Sequence, residues 1–529
     1  MKDVPMTLAI EMRGITKDFA STHVRANDHV DFSVERGEVH ALVGENGAGK
    51  TTLMNILYGL VKPDSGEIFI DSQPVQINHP DDAIKHGIGM VHQHFKLVPS
   101  FTVAENILLG MEPSQGGFLN QQKENKLVDE LAKKFNLPVN PSARIWNLPV
   151  GMQQRVEILK VLERKAKILI LDEPTAVLTP QEVNELITVI RGLSKQGYTV
   201  IFITHKLIEV MSVADRVSVM RGGRMIGTKK VSETSIPELA KMMVGREVLL
   251  RVKKKETQRG EAVLEVREIS ISDVHGLAAI SRVSFKVHKG EIVAIAGVSG
   301  NGQTELVEAI SGMIHLDGGE IIFKGKNINE ASVGERRDLG IAHIPEDRMV
   351  VGLNLQTTLD ENLIVSRYKH SEFSRYGFLL MKAISDFAEK VVRAFSIAAA
   401  RPGEGIAMLS GGNLQKVVVG RELYGDPSFI IANQPTRGLD VGSIEFVHKT
   451  LIEERDKGAG VLLVSVELDE VMALSDRILV LYRGKIQGEL ETAAATEEEV
   501  GILMAGGKLE DLIQNLKSSE PGEKSEVQS

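Results

Sequence analysis

The chain has 529 residues, more than one hydrophobic core usually supports, so at least two domains are expected. Hydrophobic residues at 43% and charged residues at 25% are ordinary for a globular protein, and a net charge of −9 speaks against a general nucleic-acid binder. The absence of cysteine excludes disulfides and thiolate zinc sites, and no run of about eighteen apolar residues offers a membrane span.

Residues 1–14 lack the long apolar core of a signal peptide, which favours a cytoplasmic location. Phe19, at the end of an apolar-patterned segment, is either a platform for a stacked base or an ordinary core aromatic. An apolar strand, Val39 to Val43, then runs into Gly44-Glu45-Asn46-Gly47-Ala48-Gly49-Lys50-Thr51-Thr52. This strand, glycine turn and helix start match the pattern that cradles a nucleotide's phosphates. Turn N–H groups and the helix dipole point at the anion, Lys50 brings a mobile positive charge, and the Thr51 hydroxyl can ligate Mg²⁺.

Gln93, in Met90-Val91-His92-Gln93, can reach a metal and an attacking water through its amide. His92 and His94 flank it, but alternation along the strand points them away from Gln93, so both read as surface or packing residues rather than ligands. Leu127, Val128, Leu131 and Phe135 mark one face of a helix, as do Ile384, Phe387, Ala388, Val391 and Phe395 further on. Ile168 to Leu171 reads as a buried strand ending in two carboxylates, Asp172 and Glu173, where α/β sheets bind ligands. Asp172 is read as a metal ligand and Glu173 as the group that polarises the attacking water. Val200 to Ile203 is a second strand that delivers His205, which suits a γ-phosphate contact if the two strands are neighbours. Strands alternating with helices predict an α/β fold with parallel sheets.

The chain repeats itself. The turn at Gly44 recurs at Gly297 (297 − 44 = 253), and Asp172 recurs as Asn433 (433 − 172 = 261), so copy two carries eight extra residues between these points. We place copy one at 6–246, a linker at 247–261 and copy two at 262–507, with a tail, 508–529, of disorder-prone composition. The basic run Arg251 to Lys255 reads as a solvated linker.

Phosphate loop, glutamine, Leu148-Pro149-Val150-Gly151 or Leu409-Ser410-Gly411-Gly412-Asn413 turn, Asp-Glu strand and histidine, in this order and twice over, resemble ATP-binding cassette ATPases. Asp172-Glu173-Pro174-Thr175-Ala176-Val177-Leu178-Thr179-Pro180, Pro345-Glu346-Asp347-Arg348 and Gln434-Pro435-Thr436-Arg437-Gly438-Leu439-Asp440 are further marks. The tandem form resembles single-chain ATPases of bacterial nucleoside and ribose/galactose importers, and His92-Gln93-His94-Phe95-Lys96-Leu97-Val98 is closer to the nucleoside branch. The resemblance implies two P-loop cassettes, each with a parallel-sheet core and a helical subdomain, using ATP and Mg²⁺. It also implies a peripheral place on the cytoplasmic face of the membrane. The partners it implies are two transmembrane permease subunits and, indirectly, a lipoprotein or periplasmic solute-binding protein. A ribosome-acting tandem cassette is disfavoured by the short linker and by Asn433-Gln434.

Copy two has Gln303 for Lys50, Glu346 for Gln93, Asn433-Gln434 for Asp172-Glu173 and Val466 for His205. Its amides are no general bases near neutral pH. In such families cassettes pair head to tail. One site would then combine Lys50, Thr51, Gln93, Asp172, Glu173 and His205 with the signature turn Ser410-Gly411-Gly412-Asn413, and the other would be idle.

Overall fold

The computed structural model describes residues 8–507 except 21–23, 94, 116–117, 176–177, 179, 248–253, 256–258, 273–275, 299 and 399–400. His94, Ala176, Val177, Thr179, Ser299, most of the linker and the 508–529 tail thus lie outside the described residues. Contacts divide the chain into two compact units, 1–248 with 440–442 and 249–439 with 443–529.

In unit one a six-stranded sheet runs in the order Arg224–Lys230, Arg216–Arg221, Val39–Gly44, Thr199–Thr204, Ile168–Asp172, Ile88–Val91. All neighbours are parallel except Arg216–Arg221 with Arg224–Lys230. The three central strands are buried throughout, as expected of a parallel sheet covered on both faces. Four consecutive parallel strands therefore end on one edge and deliver Gly44, His205, Asp172 and Gln93 there.

A four-stranded antiparallel sheet, with Leu8–Phe19 between Val24–Glu35 and Ser65–Ile70, packs over the phosphate-loop helix Lys50–Leu57 through Ile10, Met12, Ile68 and Leu53. The parallel core was legible in the sequence; this second sheet was not, because its strands alternate irregularly around bulges. The helical subdomain holds Val103–Ile107, Gln121–Phe135 and Val150–Glu163. On Gln121–Phe135, Val128 and Phe135 are buried as read, but Leu127 is exposed and Ala132 takes the inner face.

Unit two repeats the plan, with parallel strands Ile341–Ile344, Phe429–Asn433, Gly460–Ser465, Ile292–Ala296 and Arg477–Tyr482 adjacent in that order. Its helical subdomain holds Leu359–Ile364, Met381–Ala394 and Gly411–Leu423, and Ile384, Phe387, Ala388 and Val391 are buried. Equivalent helix caps, Thr102 and Thr358, differ by 358 − 102 = 256, so three of the eight extra residues (256 − 253 = 3) precede them, around a π-helical segment Arg348–Gly352. At the described end of the basic run the Lys254 side chain is pinned, donating to Asp476 Oδ1 at 3.3 Å, whereas Lys255 is exposed and only its carbonyl is held, by Arg455 Nη1 at 2.8 Å.

Candidate functional site

The phosphate loop of unit one is built by close backbone approach. A Cβ on Gly44 would stand 2.3 Å from the Met220 carbonyl oxygen, and one on Gly49 (φ 96°) 2.1 Å from that of Ala26. Gly47, also at positive φ (81°), opens instead onto free space, the concavity an anion needs. Glycine is required at all three positions, twice for contact and at Gly47 and Gly49 for conformation. Ala48 is buried and Asn46 half-buried. The helix Lys50–Leu57 begins at Gly49 with no side-chain cap, which leaves its first N–H groups, those of Lys50, Thr51 and Thr52, for a ligand. Lys50 is 5% exposed and its Nζ donates to the carbonyls of Gly44 (2.7 Å) and Glu45 (2.9 Å). Burial pulls its pKa down, and Glu173 and Asp172 oppose that. The same burial holds the Glu45 carboxyl above its usual range.

Glu173 sits at φ +45°, a conformation that costs a non-glycine residue about 1–3 kcal/mol and persists at sites where geometry is over-determined. One carboxylate oxygen accepts from Gln93 Nε2 at 2.9 Å and the other lies 3.2 Å from His205 Nδ1. Burial alone would push this carboxyl up, but the hydrogen bond and charge of His205, with Lys50, bring it below the ordinary value. Glu173 is thus an ionised base at neutral pH. Its contact with His205 requires Nδ1 to be the donor, which fixes the ring's orientation. The strand of His205 is the immediate neighbour of the Asp172 strand, with Ile203 opposite Asp172. Gln93 reaches Glu173 from a loop: the strand ends at Val91, so alternation does not govern its direction, and His92 packs edge-on to Tyr58 at 5.9 Å.

Asp172 is buried, takes a hydrogen bond from Thr51, and keeps a second, partnerless oxygen, Oδ1. Burial, and then Glu173, push its pKa up to about 6. A buried orphan oxygen beside a hydroxyl is a cost that a cation would relieve. One carboxylate plus one hydroxyl is too few for a protein cage but suits Mg²⁺, which keeps waters and phosphate oxygens. Because the folded-state pKa lies above the unfolded value of 3.8, the folded protein holds this proton more tightly. The resulting stabilisation is full below pH 3.8 and is lost as pH rises through about 6. At pH 7.5 the ionised, buried Asp172 costs roughly 2–3 kcal/mol. Asp172→Asn is therefore expected to raise the melting temperature of nucleotide-free protein in EDTA by several degrees at pH 7.5. The gain should fall to about a third near pH 4.5, as calorimetry across pH would show.

Phe19 is half-buried, outside the apolar cluster beneath its sheet, with Lys17 Nζ 5.7 Å from its ring. It pairs with Val24 on the strand whose Asn27 donates to the Gly49 carbonyl at 3.2 Å, so it belongs to the sheet end that backs the phosphate loop. Ser410, in unit two, is exposed and caps Gly411–Leu423, accepting from Asn413 N at 3.4 Å and Asn413 Nδ2 at 3.0 Å. Its counterpart Pro149 caps Val150–Glu163 with no side-chain bond.

The degenerate set in unit two keeps the backbone and satisfies itself. Gln303 donates to the Val298 carbonyl (3.0 Å) and accepts from Asn301 N (3.1 Å), closing the loop on its own side chain. Glu346 is paired with Arg437, and Gln434, at the same strained φ (+48°) as Glu173, accepts from Val466 N at 3.5 Å. Both the Gln303 seal and the Glu346–Arg437 pair fall on motif positions, but the sequence shows only which groups are replaced and not where the new side chains point.

A model of the ABC transporter family matches residues 27–176 and 280–437. The chain belongs to the ABC transporter family. The nucleoside import ATP-binding protein NupA of Lactococcus lactis subsp. cremoris is 45% identical to it, over 95% of this chain and 99% of that one. The guanosine import ATP-binding protein NupO of Bacillus subtilis is 46% identical, over 95% and 98%. The glucose import ATP-binding protein TsgD13 of Haloferax volcanii is 44% identical, over 94% and 96%. Archaeal ribosome recycling factor aABCE1, in complex with stalk protein aP1, shares the tandem fold (TM-score 0.63, 19% identity, 95% of this chain and 98% of that one). This ABC protein binds ATP and is the ATPase subunit of an importer.

Proposed function

We propose that the chain drives nucleoside import by hydrolysing ATP at one composite site, formed by the phosphate-loop side of copy one and the signature turn of copy two. The observation that carries this reading is the contrast between two Glu173-type positions. In copy one an ionised carboxylate is held between Gln93 and His205, beside Lys50 and Asp172; in copy two the equivalent amide is occupied by its own backbone. Glu173 takes a proton from the attacking water, and His205 holds that carboxylate in place and faces the γ-phosphate. Lys50 and the N–H groups of Gly47 to Thr52 bind the phosphates, and Phe19 stacks on the adenine. Thr51 and Asp172, with the Gln93 carbonyl oxygen, are the groups that would hold Mg²⁺, which neutralises phosphate charge when bound. Ser410, Gly411, Gly412 and Asn413 complete the site from copy two.

The partners are two transmembrane permease subunits and a lipoprotein or periplasmic solute-binding protein, with no nucleic acid. No described helix is long and apolar enough to cross a membrane, which is in keeping with a peripheral place on the cytoplasmic face. NupA and NupO support a nucleoside as the solute, together with the His92 to Val98 run; TsgD13, at nearly the same identity, supports a second reading, monosaccharide import. Deleting this chain is expected to reduce uptake of labelled guanosine and other nucleosides at least tenfold while leaving ribose and glucose uptake unchanged. Intact nucleoside uptake with lost sugar uptake would replace the first reading by the second.

A further inference from the structure

The segment Glu346 to Gly352 is fastened to its unit at every turn. Glu346 pairs with Arg437, Asp347 Oδ1 accepts from the N–H groups of Met349 (2.8 Å) and Val350 (2.9 Å), and the Gly352 carbonyl accepts from buried Arg421 at 2.7 Å. In its middle, Arg348 turns inward. Nη1 donates to the Arg437 carbonyl at 2.8 Å and Nη2 to that of Gly438 at 3.4 Å, in the loop that follows Asn433-Gln434. The same Nη2 lies 3.1 Å from where a Cβ on Gly411 would stand, and Nε is buried without a partner. A guanidinium, planar and forked, can hold two carbonyls while lying flat against a helix start; a lysine ammonium cannot.

Copy one has neither half of this contact. Phe95 stands at the position of Arg348 (348 − 253 = 95) and Val150 at that of Gly411 (411 − 261 = 150). A phenyl ring cannot donate, and a valine leaves no room for a guanidinium. The group packed against the copy-one turn is instead an acid: a Cβ on Gly151 would meet Glu182 Oε1 at 2.2 Å. The cation and the glycine that admits it occur together, in the one copy whose signature turn has a serine.

We propose that Arg348 is a positioning residue for ATP hydrolysis, setting the signature turn Ser410–Gly412 against the 434–438 loop so that the Ser410 hydroxyl and the turn N–H groups meet the γ-phosphate. The inference rests on the composite-site reading above. Arg348 acts through the turn and touches no substrate itself. Its loss therefore lowers kcat and leaves nucleotide capture, which belongs to copy one, nearly unchanged.

The test is a double-mutant cycle of Arg348→Ala and Gly411→Ala in the full-length chain assembled with its permease, reading kcat and KM for ATP. Arg348→Ala is expected to cut kcat about tenfold or more with KM changed less than twofold, and Arg348→Lys to recover less than a third of wild-type kcat. Gly411→Ala pushes the guanidinium by a few tenths of an ångström and should cost about threefold or more alone, and at least twofold less than that in the Arg348→Ala background. Multiplicative losses in the double variant, or full activity of Arg348→Lys, would overturn the proposal. Should Arg348→Ala not fold, Arg348→Gln and Arg348→Lys carry the same cycle. Ser410→Ala separates the two readings. If it leaves turnover intact, the composite site fails; if it abolishes turnover while the cycle is additive, only the role of Arg348 fails.

Discussion

Glu173→Gln is expected to reduce steady-state ATP turnover by 10²–10⁴, the worth of a positioned general base, with ATP affinity changed less than threefold. The substitution keeps one acceptor oxygen, enough for the His205 contact at 3.2 Å, and its NH₂ faces Gln93, whose own amide turns over to present its oxygen, so the site should stay assembled. What it removes is basicity. The prediction is sharpened by its converse: Gln434→Glu, alone or with Asn433→Asp, should restore no turnover to a Glu173→Gln chain. Gln303 still closes the second loop, and neither Val466 nor Glu346 can do for Gln434→Glu what His205 and Gln93 do for Glu173. Phosphate release measured on the purified chain with its permease decides both. Residual activity above about a tenth of wild type in Glu173→Gln would mean that a second base or a second site works.

The residues that showed themselves in the sequence are those whose chemistry is tied to spacing. A glycine turn between an apolar strand and a Lys-Thr helix start fits little besides a phosphate cradle, and two carboxylates after a buried run mark a strand end. The parallel order of four strands, each delivering one group to a common edge, then brings together Gly44, Gln93, Asp172 and His205 from positions up to 161 residues apart (205 − 44 = 161). The parts not legible are those decided by side-chain direction. Gln93 reads as a strand residue but leaves the strand two residues early, and only its distance to Glu173 shows what it holds. The strained φ of Glu173, shared by Gln434, is invisible in residue type, yet it explains why an amide can replace the acid without altering the backbone. Arg348 stands in the sequence only as the last residue of a family mark, and its role shows when its guanidinium is seen against Gly411. The antiparallel sheet escaped because bulges break the two-residue alternation on which strand reading depends.

Ser410→Ala is expected to lower ATP turnover at least tenfold, and Pro149→Ser to change it less than twofold. The two turns are counterparts at an offset of 261 (410 − 149 = 261), so the test compares like with like. Ser410 accepts from Asn413 through lone pairs on Oγ, which leaves the hydroxyl proton to donate outward, and removal of one such donor from a developing oxyanion costs about 3–4 kcal/mol. The serine is also a helix cap, worth about 1 kcal/mol on substitution by alanine. That loss would shift a cassette of this size by only a few degrees in melting temperature and cannot by itself reduce turnover tenfold at 25 °C. Ser410→Thr retains both cap and hydroxyl and should recover most of the activity, whereas Ser410→Asn retains the cap without the hydroxyl and should not. Pro149→Ser does the reverse, supplying a cap and a hydroxyl to a turn that, on the composite reading, faces the sealed loop of copy two. It should make copy one slightly more stable and leave turnover alone. A strong response to Pro149→Ser with none to Ser410→Ala would place the working ATP at the other signature turn and overturn the pairing of copy one's carboxylates with copy two's serine.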